Sequence, residues 1–281
     1  MKSVACFFTG GYTESNSMQI FLKKINEDIE LKQFCPNRTK KRKRPGLERD
    51  LIDEYSGLTG TALLHYVYDY LTNHKEEFSD FDAIIIEDDL DGLFNEELVP
   101  GDKKSLVSKR TQSFEKHCNI IRETVREKLN RDASFPVIQF YAAPEIETWF
   151  LSDWRNSFGS VYGPKGMALL TSAENDFFSA RFQPYIRNYV LHEYENFLEN
   201  YGYFDGIYSK LSDNIISSFD SFKVTMAGEN LPLAKAISIK ERLYYSKRLH
   251  GGEMLKQISP EAVRAKCPVY FQEAFSLLKN L

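Results

Sequence analysis

Short apolar runs that end in turn-forming or acidic residues predict the strands of this chain. Ser3 to Phe8 is one such run and leads into Thr9-Gly10-Gly11, where glycine permits a tight turn. Phe81 to Glu87, with its continuous stretch Ala83-Ile84-Ile85-Ile86, is a second, and Phe135 to Tyr141 is a third. Apolar runs without polar alternation are typical of strands covered on both faces. We therefore predict a mostly parallel sheet between layers of helices.

Apolar residues at helical spacing predict the intervening helices. The first begins near Ser15 or Ser17 and carries Ile20, Phe21, Ile25 and Ile29; others span about Thr61–Thr72 and Lys103–Asn130, and one runs through Trp149 with Pro144 near its first turn. The order β-α-α-β-α-β-α is that of an α/β fold.

The residue composition of the chain changes after Trp154. The following residues are rich in Phe, Tyr and Asn and contain no clear strand, and a helix from about Pro260 is interrupted at Pro268. We expect an α/β core at residues 1–155 and a helical C-terminal elaboration at residues 156–281 that packs back on the core.

Composition narrows the class of protein. The chain has 281 residues, of which 42% are hydrophobic and 14% aromatic, which excludes a disordered chain. It has no apolar run of the ~18 residues that a membrane span needs, and we expect no membrane partner. Four scattered cysteines and the lack of a signal-peptide pattern predict free thiols in the cytoplasm. The histidines show no zinc-binding spacing.

Acidic residues follow the predicted strands. Glu87, Asp89 and Asp91 alternate after the isoleucine strand, Glu14 follows the first strand, and Glu147 follows the third. Ligands of α/β sheets bind at the carboxyl ends of strands, and carboxylates there suit Mg²⁺ or Mn²⁺. Each acid also has a plainer interpretation, as a solvated turn or a favourable charge at a helix N-terminus. Their coincidence at three strand ends favours a metal site that acts on phosphates.

A basic run gives the sequence a second local charge. The chain has 36 basic and 40 acidic residues, a net charge of −4, which argues against a protein that coats nucleic acid. Six basic residues nevertheless stand in one stretch: Arg38, Lys40, Lys41, Arg42, Lys43 and Arg44. The run is either a solvated loop or a contact to a nucleic-acid backbone.

These acids resemble the metal site of the Toprim fold, found in topoisomerases, primases and overcoming-lysogenization-defect nucleases. Glu87-x-Asp89-x-Asp91-Gly92 is similar to the Asp-x-Asp-x-Asp-Gly of type II topoisomerases. Glu14 takes the place of the glutamate after the first strand, with Ser15 where Toprim nucleases have glycine. In a second alignment Gly10-Gly11 matches the Glu-Gly pair, and Glu14 is the neighbouring acid.

The chain resembles more specifically a bacterial Toprim-like family catalogued as domain of unknown function 4276. The matching segments are Pro144-Glu145-Ile146-Glu147-Thr148-Trp149-Phe150-Leu151-Ser152-Asp153, Ser238-Ile239-Lys240-Glu241-Arg242, Lys247-Arg248-Leu249-His250-Gly251 and Cys267-Pro268-Val269-Tyr270-Phe271. Ile239 interrupts the Ser-Lys pair of the family. The resemblance implies a Toprim-like Rossmannoid core and gives Lys240, Lys247 and His250 a role beside the metal.

Together these features predict a Mg²⁺- or Mn²⁺-dependent endonuclease, and the resemblance implies that it acts in a bacterial anti-phage system. The resemblance implies an ATPase partner of the ABC or structural-maintenance (SMC) type. We expect Glu87, Asp89 and Asp91 to hold the metal, and Glu14, Glu147, Lys240 and Lys247 to take part in catalysis. DNA and RNA, including tRNA, remain open as substrates, and so does homo-oligomer formation. The alternatives are a non-catalytic Toprim-derived subunit that binds the same ATPase and, with less support, phosphoryl transfer to a small molecule.

Overall fold

A computed structural model describes residues 1–9, 13–35, 58–90, 103–162, 172–191, 198–202, 210–227 and 243–281. The strands are β1 (Lys2–Phe7), β2 (Ile29–Cys35), β3 (Ala83–Asp89) and β4 (Val137–Ala142). The first helices are α1 (Glu14–Lys23), α2 (Gly60–Asn73), α3 (Lys103–Leu129), α4 (Glu147–Ser152) and α5 (Phe158–Val161). The later ones are α6 (Ser172–Leu191), α7 (Leu211–Ala227), α8 (Gly252–Gln257), α9 (Pro260–Lys266) and α10 (Pro268–Lys279). A π-helical turn at Lys247–Gly251 precedes α8.

The four described strands form one parallel sheet in the order β2-β1-β3-β4. From β1 the chain moves outward to β2, and it then returns to place β3 on the other side of β1. The strand order therefore reverses between β1 and β3. In open α/β sheets this reversal leaves a crevice at the carboxyl ends of the two strands, which is where ligands bind.

Both faces of the sheet are buried, as the apolar runs predict. Ile85 of β3 points into a cluster that includes helix α1 and the C-terminal helices, while Ile84 and Ile86 point into a cluster with α2 and α3. β1 divides in the same way, with Val4 on the first face and Ala5 on the second. The α/β class with a parallel sheet is confirmed.

The C-terminal helices pack on the first face of this sheet. Helix α10 lies against β4, and α8 lies against α1. Phe271 of α10 is fully buried and contacts the rings of Phe140, Trp149 and Phe21. The break that we expected at Pro268 separates α9 from α10, and the described residues beyond Tyr162 contain helices and turns but no strand. None of the described helices has the length and apolar character needed to cross a membrane.

The fold differs from the sequence prediction at β2. We expected Ile29 on the first helix, but α1 ends at Lys23 and Ile29 begins an edge strand. The chain turns over residues 24–28, and residues 29–32 (Ile-Glu-Leu-Lys) then alternate apolar and polar side chains with the period of a half-exposed strand. Pro144 lies three residues before the start of α4, near its first turn.

We expect Phe271→Ala to lower the free energy of unfolding by about 3–5 kcal/mol, because it removes a large side chain at the junction of α10, α4, β4 and α1. Chemical denaturation followed by circular dichroism measures this loss. Leu277→Ala, on the same helix but 40% exposed, is the matched control and should change stability by about 0.5 kcal/mol or less. Equal effects of the two substitutions would contradict the packing of α10 on the sheet.

Candidate functional site

The end of β3 places two acids on one face of the sheet and a third on the other. Successive residues of a strand point to opposite faces, so Glu87 and Asp89 share the face of Ile85. Asp88 points the other way and accepts a hydrogen bond of 2.8 Å from the backbone N–H of Gly60, at the start of α2. β3 remains paired with β4 as far as Asp89. The strand ladder, rather than a loop, therefore fixes Glu87 and Asp89.

Thr9, the second residue after β1, holds the Glu87 carboxylate. Its backbone N–H and its hydroxyl both donate to Oε2 of Glu87, each at 3.1 Å. The other oxygen, Oε1, is buried and has no hydrogen-bond partner within the described residues. Burial raises the pKa of Glu87 well above its ordinary value, and the nearby Glu14 and Asp89 raise it further. The carboxylate is thus fixed at Oε2, while Oε1 has no donor among the described residues.

Glu14 is the first residue of α1 and is 1% exposed. Within the part of the chain that the structure describes, neither of its carboxylate oxygens has a hydrogen-bond partner. Burial raises the pKa of Glu14, whereas the charge of Lys247 lowers it. A helix N-terminus favours a negatively charged side chain. This preference does not explain why the Glu14 carboxyl group is buried with no donor among the described residues. Glu14 is therefore a buried carboxyl group for which the described residues supply no hydrogen-bond donor.

Glu147 is the first residue of α4 and is fully buried. Its Oε1 accepts a hydrogen bond of 2.6 Å from the hydroxyl of Tyr245, while its Oε2 lies 3.7 Å from Nζ of Lys247. Trp149, two residues further along the same helix, is fully buried as well. The short helix α4 is enclosed by β4, α7 and α9, so it has no face turned to solvent.

Lys247 brings a positive charge to these acids. Its Nζ lies 3.3 Å from Oδ2 of Asp89 and makes the 3.7 Å contact with Glu147. Burial would lower the pKa of Lys247, but Asp89, Glu147, Glu14 and Glu145 together raise it well above its ordinary value. Lys247 is therefore an ion-pair partner inside the crevice and more than a basic residue at a helix end.

A close contact with the start of α1 fixes the turn that carries Lys247. The hydroxyl of Thr13 donates to the backbone carbonyl of Lys247 at 3.1 Å. Gly251, at the end of the same turn, lies so close to Thr13 that a Cβ atom at residue 251 would overlap its hydroxyl oxygen. Glycine is needed here for close approach rather than for an unusual φ angle. The contact brings Lys247 next to Glu14, the neighbour of Thr13.

We call Glu14, Glu87, Asp89 and Glu147 the acidic cluster. Among the described residues, Lys247 is the basic side chain that pairs with it. Burial raises the pKa of Asp89 to about 7 although Lys247 acts in the opposite direction. One ammonium group does not offset four buried carboxylates, whose mutual repulsion and desolvation disfavour the ionised state. The cluster is therefore short of positive charge.

The chemistry of the cluster fits a hard divalent cation. Its carboxylate oxygens are the ligands that Mg²⁺ and Mn²⁺ prefer, and several of them are buried without a donor. In the described ranges, however, no three acidic, histidine or cysteine side chains are arranged as a ready-made set of metal ligands. The ammonium group of Lys247 lies within ion-pair distance of both Asp89 and Glu147, so it competes with a metal for their oxygens. The carboxylates are suitable metal ligands, but in the described residues they are not arranged around a single metal position.

Among the described residues, one further residue with a predicted role, His250, lies outside the cluster. Asp91, Lys240 and the basic run from Arg38 to Arg44 lie outside the described residues. In the described part of the chain, the contacts of His250 are with residues other than the acids. Its Nδ1 accepts a hydrogen bond from the backbone N–H of Ser246 at 3.2 Å and lies 3.0 Å from the hydroxyl of Tyr162. It supports the turn that carries Lys247. The four cysteines are buried free thiols, as expected.

Thr9 and Tyr245 contact the cluster, and neither was predicted as a site residue. Thr9 had a usable signal, because it stands in the turn that follows β1. Tyr245 lies two residues before Lys247, in the segment that leads into the π-helical turn. Comparisons of the chain with models of known protein families, with curated proteins and with solved structures give no match. The function is therefore inferred from the site.

We expect Asp89→Asn to stabilise the metal-free protein increasingly as the pH rises. The folded chain holds the Asp89 proton up to about pH 7, whereas the unfolded chain releases it near the ordinary pKa of 3.8, so ionisation favours unfolding between these values. The variant lacks this cost, and its advantage over the wild type should grow by up to about 4 kcal/mol across that range.

Urea denaturation in the presence of a chelator, at about pH 4 and about pH 8, measures the difference. Asp28→Asn replaces an exposed aspartate outside the cluster and is the matched control. An Asp89→Asn advantage that does not change between the two pH values would contradict this account of the cluster.

Proposed function

We propose that the chain is a divalent-metal-dependent hydrolase of phosphodiester bonds in nucleic acid. The observation that carries the proposal is a group of buried carboxylate oxygens without hydrogen-bond partners among the described residues: Oε1 and Oε2 of Glu14, Oε1 of Glu87, Oδ1 of Asp89 and Oε2 of Glu147. Buried polar atoms without partners are costly and are rare in folded proteins. Their position at the β1/β3 reversal is where α/β proteins bind ligands.

We assign each side chain of the cluster a role in catalysis according to the contacts that fix it. Glu87 and Asp89, fixed by β3, would hold the cation together with Glu147. A bound Mg²⁺ or Mn²⁺ would supply Lewis-acid polarisation of the scissile phosphate and activation of water. Lys247, whose pKa is raised, keeps its proton and can donate to a phosphate oxygen as negative charge develops. Burial raises the pKa of Glu14, which suits a carboxyl group that gives a proton to the leaving oxygen.

Asp91, Lys240 and the basic run keep the roles proposed for them from the sequence. Asp91 would add a ligand beyond the end of β3, and Lys240 a second cation. The run from Arg38 to Arg44 would contact the backbone of the nucleic acid. Both DNA and RNA satisfy this chemistry, since all three features address phosphates rather than bases.

The cellular role is proposed from the resemblance alone. Relatedness to Toprim-like phage-defence proteins would make this chain a cytoplasmic nuclease subunit controlled by an ABC- or SMC-type ATPase. A gene for such an ATPase beside the gene for this chain would support the proposal. Copurification of the two proteins would test it directly.

A non-catalytic subunit of the same complex is the second candidate. It is favoured by Lys247, whose ammonium group lies within ion-pair distance of both Asp89 and Glu147. In this case the acids and the lysine form a buried ion-pair network that fixes the C-terminal helices on the core. Such a network needs no metal and would not cleave nucleic acid.

We expect purified protein to cleave DNA or RNA in the presence of Mg²⁺ or Mn²⁺, and we expect Asp89→Asn to reduce the rate by about 100-fold or more. The reason is the loss of a ligand to a cation that supplies several kcal/mol of transition-state stabilisation. Cleavage of labelled DNA and RNA, with and without a candidate ATPase, is the measurement. Asp28→Asn is again the control.

The two candidates give opposite results in this assay. Cleavage that survives both Asp89→Asn and Glu14→Gln would show that the cluster is not the active site. If calorimetry detects no metal binding and the wild type cleaves neither substrate even with the ATPase, the non-catalytic subunit is favoured.

We expect substitution of Lys41, Arg42 and Lys43 by Gln to weaken nucleic-acid binding and to reduce its dependence on salt. For each phosphate contact that is lost, binding releases about one counterion fewer. The magnitude of the slope of log K against log salt concentration should therefore fall by about 0.7–0.9 per contact. Fluorescence anisotropy at several salt concentrations measures the slope. An unchanged slope would assign this run to a solvated loop.

A further inference from the structure

The hydroxyl of Tyr245 is a buried group that the proposed mechanism leaves unused. Tyr245 is 5% exposed, and its hydroxyl donates to Oε1 of Glu147 at 2.6 Å. This length is typical of a hydroxyl that donates to an ionised carboxylate, and such bonds are about twice as strong as those between neutral groups. The bond joins residues 98 positions apart in the chain. It is therefore a tertiary contact between the C-terminal part and the acid at the start of α4.

Tyr245 is held so that its hydroxyl has little freedom to move. The ring packs against the rings of Phe158 and Phe219, with centroids 5.5 and 6.3 Å away. The backbone next to it is fixed as well, because the hydroxyl of Tyr162 donates to the carbonyl of Tyr244 at 2.8 Å. A donor fixed at both ring and backbone imposes its direction on the carboxylate that accepts from it.

The bond determines which oxygen of Glu147 faces the cluster. With Oε1 occupied by Tyr245, Oε2 is the oxygen nearest to Lys247, at 3.7 Å, and it is buried without a hydrogen-bond partner among the described residues. We propose that Tyr245 is a positioning residue, which orients Glu147 so that Oε2 is presented to a divalent cation. This inference rests on the proposed function, since it concerns the same site.

A purely structural role for Tyr245 makes a different prediction. A buried tyrosine hydroxyl needs some partner, and Glu147 would then be only a convenient acceptor. Loss of the hydroxyl would in that case lower stability and leave the affinity for metal unchanged. A positioning role requires the affinity for metal to fall while Glu147 itself is intact.

The test is isothermal titration of Mn²⁺ into the full chain and into Tyr245→Phe, which removes a single oxygen atom. We expect the affinity to fall by about 10-fold or more, the usual effect of removing a group that orients a metal ligand. Tyr185→Phe is the matched control, because the Tyr185 hydroxyl also makes a 2.6 Å hydrogen bond, to Ser221 in the α6–α7 pair, away from the acids. Its affinity for Mn²⁺ should equal that of the wild type.

A double-mutant cycle shows whether Tyr245 acts through Glu147. In a Glu147→Gln background, Tyr245→Phe should change the affinity by no more than about 2-fold, because the carboxylate to be oriented is already gone. Equal losses in both backgrounds, or a Tyr245→Phe variant that binds Mn²⁺ as the wild type does, would overturn the positioning role and leave the proposed function standing. A wild type that binds no Mn²⁺ and cleaves nothing would overturn both.

Discussion

Burial of four carboxylates at one end of the sheet is the constraint on which the site depends. Like charges in a poorly solvated crevice repel one another, and burial adds the cost of desolvation to each. The fold offsets part of this cost with Lys247 and with the donors of Thr9 and Tyr245. The offset is incomplete, because oxygens of all four acids lack partners among the described residues. A site that folds despite this deficit is arranged for something other than stability.

The deficit also explains how the C-terminal part is joined to the core. The charge that the core acids need arrives from Lys247, 158 positions beyond Asp89 in sequence. Its turn is fixed against α1 by Thr13 and Gly251, where close approach leaves no room for a side chain. Apolar packing of α10 on β4 secures the same part of the chain from the other end. Charge and packing therefore act together to close the crevice.

The sequence predicts the part of the site that depends on local periodicity. Alternation along β3 places Glu87 and Asp89 on one face, and the buried isoleucines make the strand recognisable. Alternation also marks the start of β2. Only a short turn separates β2 from α1, however, so Ile29 also fits the helical spacing of the apolar residues of α1. Contacts that depend on the return of the chain have no such local signal. The family resemblance implies a role for Lys247 beside the metal, but its ion pair with Asp89 and the bond from Tyr245 to Glu147 have no counterpart in the sequence prediction.

The acids of the cluster differ in how much freedom each has left. Glu87 and Glu147 are each fixed at one oxygen, by Thr9 and Tyr245, and Asp89 pairs with Lys247 through Oδ2. Glu14 alone among them has neither oxygen satisfied within the described residues. Within the described residues, a cation that entered here would meet three carboxylates that each have one oxygen without a hydrogen-bond donor, and a fourth, Glu14, that has two. Binding a metal requires carboxylates held in place, which suits Glu87, Asp89 and Glu147. Proton transfer requires a carboxyl group that is not held by other donors, which suits Glu14.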